Sequence, residues 1–335
     1  MSFLSRPSVG GFTNCDIAVA HSTSPFVSVY PWNSGFGTKY ADPATLPTGT
    51  GNGVAFSPSG ADIAVAHDSS PFISLYPWNA GFGTKYSDPA TLPASSGLGV
   101  AFSPSGGDIA VVYAVSPSVS VYPWNSGFGT KYSDPATLPT VGRGVAFSPF
   151  GGAIAVAHTA SPYVSAYPWN AGFGTKYANP ATLPTGFGRA VAFSPSNADI
   201  AVAHGTSPFV SVYPWNAGFG TKYANPSTLP TDTGNSVAFS PSGLDIAIAH
   251  NTSPCISVYP WNAGFGTKYA NPSTLPTQLG LGVAFSPSGL DIAVAHDLSP
   301  GISVYPWSGS GFGTKYADPS TLPTGGCYSV AWKAP

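Results

Sequence analysis

Glutamate is absent from this 335-residue chain, and charge of either sign is scarce: 13 Asp, 8 Lys and 3 Arg, together 7% of residues. Methionine occurs once and cysteine three times. Each scarcity excludes something. Without Glu, and with little Lys or Arg, the exposed face of an ordinary helix cannot be written, and 36 prolines interrupt any run long enough to form one. A formal charge of −2 with no basic cluster removes the electrostatic footprint of a nucleic-acid binder, and removes attraction to anionic lipid for the same reason. Cys15, Cys255 and Cys327 stand in no metal-ligating spacing, and an odd number cannot all pair within one chain. No apolar run is long enough to span a bilayer, so membrane insertion is not expected. The opening Met1-Ser-Phe-Leu-Ser-Arg-Pro lacks the sustained apolar stretch of a secretory signal.

What is present is turn chemistry and repetition. Gly and Pro make up more than a fifth of the chain, 40 and 36 residues, while 43% hydrophobic content argues for a packed core. Trp32, Trp78, Trp124, Trp169, Trp215, Trp261 and Trp307 each end a Tyr-Pro-Trp triplet, spaced 45 or 46 residues apart. Seven such units fill residues 1–335, read here as a single domain. The unit from Val54 contains four short β-prone runs, Val-Ala-Phe, Asp-Ile-Ala-Val-Ala-His, Ile-Ser-Leu-Tyr-Pro-Trp and Gly-Thr-Lys-Tyr, separated by Pro, Gly, Ser and Asn turns.

Alternation along these runs predicts how the units pack. It puts Val54, Phe56, Ile63, Val65, His67, Ile73 and Leu75 on one bulky face, and Ala55, Ala64, Ala66, Phe72, Ser74 and Tyr76 on the other. Both faces suit burial, a bulky face nesting on the smaller face of the next sheet, as in a propeller. A sandwich with one solvated face per sheet would need more polar residues. The first unit lacks a good first run, whereas Val330-Ala331-Trp332 at the other end has no second run after it. The expectation is therefore an all-β, seven-bladed β-propeller with four-stranded blades, one blade closed by the C-terminal strand joining the N-terminal three.

The runs Val-Ala-Phe-Ser-Pro-Ser-Gly, Asp-Ile-Ala-Val-Ala-His and Val-Ser-Val-Tyr-Pro-Trp resemble the WD-repeat propeller unit over nearly the whole chain, from Asp16 to Trp332. Pro-Trp-Asn replaces the Trp-Asp pair of that family, and its Gly-His pair is missing, so the family's hydrogen-bonded tetrad is not carried over. Near-identical repeats with little charge also resemble structural proteins of tailed bacteriophages. That resemblance implies a virion surface component, a head decoration or tail appendage serving attachment or assembly, with virion localisation. A multivalent glycan-binding, lectin-like propeller and an intracellular assembly scaffold are the alternatives. The implied partner is accordingly a virion or assembly protein, or a cell-surface glycan.

Chemistry-bearing residues read as structural. His21, His67, His158, His204, His250 and His296 end the second run, where neighbouring blades hold them on the order of 10 Å apart, too far to share one metal ion. Tyr113 takes the third copy, which suits a hydrogen-bonding role near the turn. Asp16, Asp62, Asp108, Asp199, Asp245 and Asp291 precede the second run as turn formers, with Ala153 in the remaining copy. Seven near-copies offer no unique catalytic cleft, so no enzyme activity, no cofactor and no metal are expected. Lys39, Lys85, Lys131, Lys176, Lys222, Lys268 and Lys315 on the fourth run read as edge protection. The Trp residues read as core in preference to sugar-stacking platforms.

Variation is confined to the second-to-third turn and the loop leading into the next unit, which a meander places at one end of the sheet. That end displays Arg143, Phe187, Arg189, Asp232, Leu279, Leu281, Asp68 and Asp297, the candidate partner-binding face.

Overall fold

The computed structural model describes residues 15–334; the amino-terminal run assessed above for a secretory signal lies outside them. Among the described residues there is no helix, and none therefore long and apolar enough to cross a membrane. The described residues form seven antiparallel three-stranded sheets. In the second blade the inner strand is Gly51–Phe56, the middle strand Asp62–His67 and the outer strand Ile73–Pro77. The first blade takes its middle and outer strands, Cys15–His21 and Val27–Trp32, from one end of the chain and its inner strand, Cys327–Trp332, from the other. Inner strands touch in chain order, and the last of them returns to Gly51–Phe56. This is a propeller-like architecture of seven blades.

Three strands per blade, and not four, corrects the expectation. The fourth run docks on the outer strand without forming a ladder: Gly37 N–H reaches Pro31 O at 2.8 Å and Tyr40 N–H reaches Val29 O at 3.0 Å. Both accepting carbonyls point away from the middle strand, and Pro31 has no N–H to return, while the Asp-Pro that follows takes another donor away. The lysine on this run turns to its own loop: Lys39 pairs with Asp42, and Lys176 with Asn179.

The register corrects the face assignment as well. Val65 stands opposite Val54 and Ser74, and Ile63 opposite Phe56 and Tyr76, whereas Ala64 and Ala66 stand opposite Leu75 and Ile73. Ser74 and Tyr76 therefore share the face of Val54, and Ile73 and Leu75 share that of the alanines. Between blades, Ala18, Ala20, Val27 and Val29 of one sheet pack on Val54, Ile63, Val65, Tyr76 and Trp78 of the next. Seven such layers make the core, one at each seam between blades.

Each seam carries a tryptophan. All seven are 2–6% exposed, which leaves no ring face for a sugar. Trp78 lies edge-on to Phe56, Phe82 and, from the preceding blade, Tyr40. Its indole N–H donates to Asp16 Oδ2 at 2.8 Å, and Tyr40 O–H donates to Asp16 Oδ1 at 2.9 Å. The aspartate that opens a middle strand is thus a clamp between blades, a role beyond turn formation, and it recurs through Asp62, Asp108, Asp199, Asp245 and Asp291. At the seam between the fourth and fifth blades the position holds Ala153, so Trp215 and Tyr177 lack their carboxylate.

Restoring it is expected to stabilise the protein. Ala153→Asp should add about 1 kcal/mol, the net worth of an ordinary buried hydrogen bond, while Asp62→Ala, which strands Trp124 N–H and Tyr86 O–H, should cost about 2–3 kcal/mol. Thermal unfolding of the two variants checks this, and a destabilised Ala153→Asp would refute the clamp.

Candidate functional site

The seven inner strands share one irregularity. In the second blade Gly51 pairs with His67 and Gly53 with Ala66, leaving Asn52 unopposed, a β-bulge. The same skip occurs in every blade, so the unopposed residues are Asn52, Leu98, Arg143, Arg189, Asn235, Leu281 and Tyr328. A bulge re-aims its side chain, and all seven line one central cavity of about 210 Å³, above a collar of Val54, Val100, Val145, Val191, Val237, Val283 and Val330. The glycine before the bulge is required: a Cβ on Gly51 would collide with Phe26 O in the adjoining turn.

The mouth of this channel lies at the variable end. Thr48 O–H from the loop into the second blade donates to Ser70 O in that blade's turn at 2.7 Å, and the other loops meet the turns in the same way. Following the blades in order gives Tyr328, Asn52, Leu98, Arg143, Arg189, Asn235 and Leu281. The two arginines are adjacent, and across seven positions they stand opposite Tyr328. Asn52 Nδ2 donates to Gly97 O at 2.9 Å and Asn235 Nδ2 to Gly280 O at 2.8 Å, each tying its bulge to the next blade. Both arginines are exposed, and among the described residues neither has an ion-pair or hydrogen-bond partner. Partial burial and the positive charge of Arg143 push the Arg189 guanidinium pKa down, with Asp232 opposing. Burial, then Asp297 and Asp68, push the Tyr328 phenol up, so it keeps its proton at neutral pH.

Of the candidate face, Arg143, Arg189 and Leu281 line the cavity. Asp68 accepts from Asn52 Nδ2 at 3.4 Å on the rim, Asp232 takes its neighbour Thr233 N–H at 2.6 Å, and Asp297 N–H donates to Leu279 O at 3.3 Å. Phe187 is 53% exposed beside Gly205, outside the cavity. Asn52, Leu98, Asn235 and Tyr328 belong to the lining but were not among the candidates. The signal for them was the repeat itself, since all occupy the position of Arg143 within their units.

The histidines face the seams. Nε2 of His67 lies 3.0 Å from Ser74 Oγ, and Nδ1 of His21 lies 2.9 Å from Thr23 O; Tyr113 makes the equivalent contact to Ser120 Oγ at 2.9 Å. Among the described residues no three His, Cys or Asp side chains gather as a metal site.

No protein-family model matches the sequence, and no curated protein does. Solved structures match over nearly the full length. A protein from Bacteroides fragilis assigned as a 6-phosphogluconolactonase superposes with a TM-score of 0.76 at 12% identity, covering 96% of this chain and 98% of its own. The periplasmic gluconolactonase PpgL of Pseudomonas aeruginosa gives 0.73 at 15% identity, covering 96% and 99%. A second protein assigned as a 6-phosphogluconolactonase, from Bacteroides uniformis, gives 0.72 at 15%, covering 95% and 99%. At these identities the likeness establishes the propeller fold.

The likeness also overturns the expectation of a non-enzymatic virion component, together with its lectin and scaffold alternatives. The three structures named carry lactonase assignments, and neither viral origin nor virion localisation finds support among them. Near-identical blades do not preclude a unique cleft, because the seven bulges gather unlike side chains in one place. The expectation of no enzyme activity is corrected on the same ground.

Proposed function

We propose that the chain is a lactonase-type enzyme that takes a small, hydroxyl-rich, anionic lactone at the channel mouth and opens its ring with water. The observation that carries this reading is the asymmetry of the seven bulged residues: two free cations on one side, a protonated phenol flanked by two carboxylates on the other. A cavity of about 210 Å³ is smaller than the roughly 300–1,000 Å³ of drug-sized sites and suits a single sugar ring. The neighbours' names denote enzymes of gluconolactones, which supports the substrate class.

In this reading Asp68 or Asp297 accepts a proton from water as its oxygen adds to the lactone carbonyl. Tyr328 O–H donates to the oxyanion that develops. The ring C–O bond then breaks, the ring oxygen leaves as a hydroxyl after taking up that proton, and the product is a hydroxy acid that releases its own proton at neutral pH.

Acid release from glucono-δ-lactone and 6-phosphoglucono-δ-lactone, read against the rate in buffer alone, tests the proposal. The protein should accelerate the phosphorylated lactone, and more than the neutral glucono-δ-lactone, and Tyr328→Phe should lower kcat/KM by about 10²-fold, the usual loss for one oxyanion donor. Ring opening at the buffer rate for both lactones would overturn it.

A further inference from the structure

We infer that Arg143 and Arg189 form an anion site across the seam between the fourth and fifth blades, that it receives an anionic group of the channel-mouth ligand remote from the carbonyl at Tyr328, a phosphate or a second carboxylate, and that the bound anion fastens this seam. The inference rests on the proposed ligand and adds where its charge sits and what binding does to the protein.

Two separate features single out this seam. At its outer part it is the one that carries Ala153 where six others carry the aspartate clamp, although Tyr213 O–H still reaches Thr182 O at 2.9 Å. At its inner part the bulged residues are Arg143 and Arg189, where the seams after Asn52 and Asn235 have an amide-to-carbonyl tie. The backbones approach closely there: a Cβ on Gly144 would sit 2.9 Å from Ala190 Cα and Arg189 O. Closely held strands thus present two like charges that, among the described residues, no hydrogen bond or ion pair engages; burial first, and then the charge of Arg143, lower the Arg189 pKa, with Asp232 opposing. A carboxylate or phosphate has two or more oxygens to accept from both planar guanidiniums at once, which turns the repulsion into a bridge. A neutral ligand could fill the cavity but could not do this.

Hydrogen exchange read by mass spectrometry on the full chain tests the inference. The probes are inorganic phosphate, gluconate and glucose 6-phosphate, each against sodium chloride at equal ionic strength. Exchange in residues 142–158 and 188–204 should slow at least threefold with a charged probe, while residues 51–77 and 280–306 change little. Comparing gluconate with glucose 6-phosphate separates a carboxylate from a phosphate source. Arg143→Gln/Arg189→Gln, which keeps side-chain bulk at exposed positions, should abolish the effect. Ala153→Asp should slow exchange at the seam with no anion present. Protection spread evenly over all blades, absent with every probe, or retained in the double variant would overturn the inference. Its fate is separable from that of the lactonase reading. Seam protection without lactone opening leaves the anion site standing and removes the enzyme, whereas lactone opening with an unchanged KM in the double variant does the reverse.

Discussion

Acidification from pH 7 to about 4 is expected to unfold this protein in a steep transition driven by its six histidines. All six are buried, and burial, reinforced by lysines of the fourth runs, pulls each pKa down from 6.5 to about 4. The geometry gives the reason. His204 Nδ1 lies 2.8 Å from Thr206 O, a carbonyl that can only accept, so the proton sits on Nδ1 and Nε2 accepts from Ser211 O–H at 3.0 Å. A second proton would leave that hydroxyl misdirected and place an uncompensated charge between blades. Between pH 6.5 and 4 the unfolded chain therefore binds protons that the folded chain refuses, and stability falls as pH falls through this window. Above pH 6.5 the same groups are neutral in both states and contribute nothing. Each site is worth up to about 3 kcal/mol at the bottom of the window. Several together exceed the roughly 5–15 kcal/mol that holds a typical domain folded. Thermal unfolding at unit steps of pH should show a melting temperature that drops ever faster below pH 6, and His204→Gln should flatten the fall. A constant melting temperature from pH 7 to 4.5 would exclude the mechanism.

Much of this was written in the sequence, and the parts that were not have definable causes. The Tyr-Pro-Trp spacing gave seven units, and the orphan Val330-Ala331-Trp332 pointed to the shared first blade. The face of the third run was misjudged because alternation can be counted only within a strand. Between His67 and Ile73 the chain passes through a turn in which Phe72 has φ near 70°, and that residue resets the parity. The fourth strand was lost to Pro31, whose missing donor matters only once its side of the strand is known. Asp62 looked like a turn residue because its partners, Tyr86 and Trp124, lie 24 and 62 positions away. The channel lining was half legible. Arg143 and Arg189 stood out by charge, while Asn52 and Tyr328 are ordinary residues until the bulge brings them around one axis with the arginines.

Removal of residues 327–335 should cost more than any single substitution. The strand Cys327–Trp332 pairs along Cys15–His21, with Val330 opposite Val19 and Trp332 opposite Ile17. It also holds both neighbouring blades: the Trp332 indole N–H donates to Ala284 O at 3.2 Å, and Ser329 Oγ accepts from the backbone N–H of Val54 at 3.3 Å. Trp332 lies edge-on to Trp32 in the shared core. The fit at the start of the strand is specific to this blade. Cys327 stands where the other inner strands have glycine, and Gly301 stands where the adjoining turns have Phe26, Phe72 or Tyr163, so that a Cβ on Gly301 would lie 2.6 Å from Cys327 Sγ. Truncation would bare the middle strand of the first blade, whose residues from Ile17 to His21 are fully buried, and leave unpaired the N–H and C=O groups that face the inner strand. The expected loss is roughly 5 kcal/mol or more, seen as a melting temperature lowered by about 10 °C or as aggregation. A peptide of residues 325–335 added in trans should restore much of it by strand addition, and that rescue distinguishes a missing strand from a general failure to fold. A shorter deletion, of residues 333–335, should change little, since among the described residues it removes the Lys333 N–H bond to Asp16 O and the contacts of that side chain. Should the longer truncation melt where the intact chain does, the C-terminal strand is not what joins the first blade to its neighbours.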